Sequence, residues 1–102
     1  TAVGAELLAN VSPLTKLKSL ILRHNILGDA GTKALANSAS FPNLEEMQLG
    51  WTETRDAGAL AFGSSDKFQN LKNLDLRGNF LANKTKEELK KSLGHLKTLK
   101  LF

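Results

Sequence analysis

Residues 17–31 read LKSLILRHNILGDAG. The pattern returns 27 residues later as LEEMQLGWTETRDAG (44–58) and after another 27 as LKNLDLRGNFLANKT (71–85). Each copy opens on alternating apolar residues, passes through a turn and starts a helix. One strand–helix unit cannot bury its own apolar side, so a fixed period of this length marks units that stack on one another. The match runs beyond these segments. Gly4, Gly31 and Gly58 are 27 apart, as are Leu8, Leu35 and Phe62, and Leu14, Phe41 and Phe68.

The periodicity divides the chain into a partial unit (1–16), full units at 17–43, 44–70 and 71–95, and a terminal strand (96–102). Strands are expected over 18–23 and 97–101. Leu17, Leu20 and Leu22 turn one way into a core, and Ser19, Ile21 and Arg23 turn the other way, as strand geometry requires. Residues 3–10 read as a helix that lacks a capping carboxylate, because Ala2 stands where Asp29 and Asp56 stand later. Asp29 is expected to cap a helix through about residue 37, with Ala30, Ala34 and Leu35 inward. Thr85 and Glu88 have capping-box spacing. The recurrence of Gly31 and Gly58 predicts close helix backbones.

The segments LKSLILRHN and LKNLDLRGN carry the leucine-rich repeat pattern LxxLxLxxN. With ILGDAG following and a 27-residue period, the chain resembles the ribonuclease-inhibitor-like subfamily over essentially its whole length. The resemblance implies an α/β fold, a leucine-rich repeat solenoid built as a right-handed βα superhelix. Its parallel sheet would line the concave side and its helices the convex side. It also implies that Asn25 and Asn79 bond backbone groups within the turns. The second unit has Thr52 at that place, and its turn TETR (52–55) lacks the apolar anchors of NILG and NFLA. A looser, more exposed second turn is expected.

Strand alternation places Ile21, Gln48, Asp75 and Lys100 in one row of the outward sheet face. Arg23, Gly50 and Arg77 form the next row, and His24, Trp51 and Gly78 the one after. Trp51 is the only tryptophan, and it lies among Arg23, His24 and Arg77. That mixture suits a partner-binding hot spot. Trp51 folded over the second turn as a shield is the alternative.

The chain has 102 residues, a net charge of +4 and no cysteine. Disulfides and thiolate metal sites are therefore excluded. Residues 1–83 hold eight basic and eight acidic side chains. Residues 84–102 hold six lysines (Lys84, Lys86, Lys90, Lys91, Lys97, Lys100) against Glu87 and Glu88, which accounts for the whole +4. This end is either a solvated cap or a patch for nucleic acid or an acidic surface. No run reaches the roughly 18 apolar residues of a membrane span, and no signal-peptide pattern opens the chain. The expected location is cytoplasmic.

No nucleophile motif, phosphate loop or metal cluster is present. No catalytic activity, cofactor or metal is expected. The expected function is a protein–protein interaction module using the concave face, through Ile21, Arg23, His24, Gln48, Trp51, Asp75, Arg77 and Lys100. Both outer strands would be open edges, so a longer array or end-to-end self-association is expected.

Overall fold

A computed structural model describes Gly4, Leu7, Asn10 and residues 13–102. The element order is β1 (Ser19–Ile21), α1 (Gly28–Ala36), β2 (Glu46–Gln48), α2 (Asp56–Gly63), β3 (Asn73–Asp75), α3 (Asn83–Ser92) and β4 (Thr98–Lys100). The four strands pair in parallel in chain order. Parallel neighbours need a crossover between them, and here each crossover carries a helix. Residues 13–102 thus form a small α/β repeat with a four-stranded parallel sheet and three helices. The expected helix over 3–10 and the uncapped start at Ala2 lie largely outside the described residues.

The register follows the repeat: Leu20 pairs with Met47, Met47 with Leu74, and Leu74 with Leu99. Met47, Leu49, Leu74 and Leu76 are buried between the sheet and the helices, with Leu35, Phe41, Leu44, Phe62 and Leu89. The strands are shorter than the alternation suggests. Cross-repeat bonding nevertheless continues past them: His24 N–H donates to Gly50 O and Trp51 N–H to Arg77 O, each at 2.9 Å. Leu17, Leu20 and Leu22, on and beside the outer strand β1, are half-buried against the core. In α1 Thr32, Leu35 and Ala36 are buried and Ala34 packs half-buried against the core, whereas Ala30 is exposed.

Asp29 does not cap its own helix. Its Oδ1 accepts from the Arg55 N–H at 2.8 Å and the Gly58 N–H at 2.9 Å, at the start of α2. Asp56 repeats the arrangement on α3, accepting from the Ala82 N–H at 2.9 Å. The orphan amides of each helix are thus satisfied by the preceding unit. Thr85 is buried inside α3 and Ala82 stands at its N-cap without a side-chain cap bond, so the capping box with Glu88 is not formed.

Close packing at Gly58 is observed. A Cβ there would lie 2.8 Å from Asp29 Oδ1 and 3.2 Å from Asp29 Cα. Gly58→Ala gains about 1 kcal/mol of helix propensity. It should lose more through overpacking and a displaced cap, for a net cost of about 1–3 kcal/mol. A lower urea midpoint at unchanged slope would register this.

The second turn is the reverse of loose. Thr52 and Thr54 are fully buried. Thr52 Oγ1 donates to Leu49 O at 2.8 Å and meets Thr54 Oγ1 at 2.8 Å, and Thr54 Oγ1 meets Thr32 Oγ1 at 2.7 Å. A chain of hydroxyls fills the space that leucine fills elsewhere, and each hydroxyl has a partner. Asn79 completes it: its Oδ1 accepts from the N–H groups of Thr52 and Thr54, and its Nδ2 donates to Leu49 O and Leu76 O. Asn25, by contrast, is exposed, and among the described residues its side chain bonds only Leu22 O and Arg23 O.

A second asparagine pair links the opposite loops. Asn43 Nδ2 donates to Thr15 O, and Asn70 Nδ2 to Pro42 O.

Candidate partner-binding face

The strand alternation that buries Met47 and Leu74 turns Ser19, Ile21, Glu46, Gln48, Asn73, Asp75, Thr98 and Lys100 to the other side of the sheet. Ile21 is 52% exposed on edge strand β1. Gln48 is half-buried, and its Oε1 is enclosed without a hydrogen-bond partner. Glu46, Gln48, Asn73, Asp75, Thr98 and Lys100 line a shallow polar hollow of about 240 Å³. Of these, Glu46, Asn73 and Thr98 were legible as face positions but carried no motif that singled them out.

Asp75 and Arg77 are not independent groups. Arg77 Nη2 lies 2.9 Å from Asp75 Oδ2, its Nε is 3.1 Å from Oδ1, and its backbone N–H donates to Oδ1 at 3.0 Å. Partial burial pushes the Asp75 carboxyl up. The hydrogen bonds from Arg77, with the charges of Arg77 and Lys100, outweigh burial and hold it below the usual carboxylate value. The same contact raises Arg77. A carboxylate depressed on folding contributes stability that is full above its unfolded value of about 3.9 and is lost as pH falls through the folded value. Asp75→Asn should therefore lower the urea midpoint at neutral pH, and its gap from wild type should close as pH drops below about 4. A gap that persists unchanged in acid would exclude the ion pair as its cause.

At the rim of this face, His24, Trp51 and Gly78 occupy equivalent places in successive units. All three backbones are left-handed, with φ of 65°, 54° and 76°. Only glycine adopts this conformation at little cost. For a residue with a Cβ it costs roughly 1–2 kcal/mol. The Trp51 and His24 rings stack at 5.1 Å between centroids and 11° between planes. On its other side the indole lies flat on Gly78, where a Cβ would fall 2.3 Å from Trp51 Nε1. Trp51 is thus held against the rim rather than folded over the second turn, which the threonines already fill. It remains 48% exposed.

Arg23 is exposed beside this stack. Gly50, between Arg23 and Arg77 in the register, is buried. A Cβ there would sit 4.0 Å from Arg23 Cβ and 3.1 Å from Arg77 O. The outer loops add Phe80, which is highly exposed with the Arg55 guanidinium 5.3 Å from its ring centre. At the lysine-rich end, the Lys86 ammonium lies 4.2 Å from the Phe102 ring centre and that of Lys90 5.4 Å. Lys100 stands apart from that pair, on the sheet face. Among the described residues no cluster of three or more potential metal ligands occurs, and no helix is long and apolar enough to cross a membrane.

No family model matches the sequence, and no curated protein matches it. Solved structures do match in fold. One is a tropomodulin C-terminal domain from Caenorhabditis elegans, 17% identical, with a TM-score of 0.69 over 98% of this chain. The chain spans 62% of the length of that structure. At this identity the likeness speaks to the fold, and it places the chain beside a protein built on the same kind of α/β repeat.

Proposed function

We propose that this chain is a leucine-rich repeat array of the ribonuclease-inhibitor-like kind, serving as a non-catalytic protein-interaction module through the concave face of its sheet. The observation that carries this is Trp51. A large ring is kept half in water, on a backbone conformation that Gly78 adopts freely one unit later, and it is braced by His24. Backbone strain held at a half-exposed ring points to use at a surface. Rigid aromatics of this kind dominate interface energetics.

Trp51→Gly is the direct test. Glycine removes the ring and relieves the left-handed backbone, so lost stacking and lost strain nearly offset in stability. Affinity capture with wild type should retain a protein that Trp51→Gly fails to retain, with binding weakened at least about tenfold. Equal capture by both would sink the reading. Binding of nucleic acid or an acidic surface through the lysine-rich end is the weaker reading. It would show instead as a steep fall of affinity with salt, insensitive to Trp51.

A further inference from the structure

We propose that the shallow hollow over β2, β3 and β4 receives an α-helix of a protein partner laid across the strands, with a basic side chain of that helix over Glu46 and an acidic one, seven residues away, over Lys100. This rests on the interaction reading above and specifies the partner's form and charge.

The hollow holds about 240 Å³, and the register fixes its layout. Glu46, Asn73 and Thr98 form one row across it, and Gln48, Asp75 and Lys100 the next. Elsewhere in the chain, asparagine and threonine side chains serve the fold. Asn43, Asn70 and Asn79 bond neighbouring units, and Thr32, Thr52 and Thr54 bond one another. The side chains of Gln48, Asn73 and Thr98 make no hydrogen bond among the described residues. Two amides and a hydroxyl at the centre of the face are therefore not engaged by the fold, and an incoming polar side chain can use them.

The two ends of the hollow differ in sign. Glu46 is half-buried and accepts from the Ser19 hydroxyl at 2.8 Å. Among the described residues no cation lies within ion-pair distance of it. Lys18 and Lys72 both turn instead to Glu45, each at 3.7 Å. At the other end Asp75, Arg77 and Lys100 are one carboxylate and two cations, net +1. Arg77 pairs with Asp75, and exposed Lys100 acts on the same carboxyl without an ion-pair contact. A polyanion meets Glu46, and a polycation meets Lys100 and Arg77. A segment carrying both signs suits both ends.

The form of that segment follows from the sheet. Strand backbone groups bond within the plane of the sheet, so a segment lying on its face must satisfy its own N–H and C=O groups. A helix does so and an extended strand does not. Glu46 and Lys100 are two strand intervals and two residues apart, about 12 Å. Residues i and i+7 of a helix share one face about 10.5 Å apart, and long charged side chains span the difference.

The probe is an alanine-based helical peptide with arginine at i, glutamine at i+4 and glutamate at i+7. It is set against versions with arginine at both charged places or glutamate at both. Backbone amide NMR shifts report where each binds. The expected result is a saturable shift of amides within 46–48, 73–75 and 98–100 with the mixed peptide, and binding of either single-sign peptide at least about fivefold weaker. Glu46→Lys should transfer the preference to the peptide with two glutamates, a gain that an unfolded variant would not show. No saturable shift with the mixed peptide, equal binding of all three, shifts confined to other residues, or an unchanged preference in Glu46→Lys overturns the proposal. The Trp51→Gly capture test uses no peptide and reads the interaction separately. Capture lost in that variant, with no peptide preference, overturns the helix and leaves the interaction reading standing. Equal capture with no peptide binding overturns both.

Discussion

Asn79→Ala is expected to destabilise the protein by about 3–4 kcal/mol, and Asn25→Ala by only about 0.5–1 kcal/mol, although both residues occupy the same place in the repeat. The Asn79 amide satisfies the N–H groups of Thr52 and Thr54 and the carbonyls of Leu49 and Leu76, bridging two units from a half-buried position. Removing it strands backbone groups beside a buried chain of hydroxyls, and the cost of an unpaired buried polar group exceeds the gain from pairing it. Asn25 bonds only its own turn and stands in water. A loss near 4 kcal/mol is a large fraction of the 5–15 kcal/mol typical of a domain. Urea unfolding of the two variants side by side would decide the matter. Equal losses would show that the bridge between units contributes nothing.

The second large effect falls on Leu74. Leu74→Ala should cost about 3–4 kcal/mol, since a buried leucine truncated in a core leaves a cavity as well as losing its transfer energy. Leu74 is 1% exposed and lies in register between Met47 and Leu99. Leu20, in the same row but at the end of the sheet, is half-buried, and Leu20→Ala should cost about 1 kcal/mol. Position matters beyond burial. In a linear stack each unit touches only its neighbours, so weakening an inner unit uncouples those on both sides. Leu74→Ala should therefore broaden the unfolding transition, which Leu20→Ala should not. Circular dichroism and Trp51 emission, following different parts of the stack, would separate for the first variant and coincide for the second.

The period of 27 and the alternation within LKSLILRHN and LKNLDLRGN determined which side chains share a row, while the parallel sheet was what the repeat's resemblance implied. The rows depend on the spacing of apolar residues along the chain, and spacing is visible without coordinates. The rows of the candidate site were legible for the same reason. Contacts between units were not. Asp29 and Asp56 look like caps of their own helices, yet each reaches the next helix, 26 to 29 residues on. The TETR turn looks depleted because Thr54 and Glu53 stand where the other turns have a leucine and a second apolar residue. Only the placement of Thr32 opposite Thr54 shows that hydroxyls fill the leucine place. Arg77 reads as a free cation until Asp75 is found folded against it, and Trp51 reads as either a partner-binding ring or a shield over the second turn until His24 and Gly78 are found on its two faces. Lateral distances between units decide each of these. A one-dimensional pattern specifies which residues become neighbours, and the packed structure decides which of them bond.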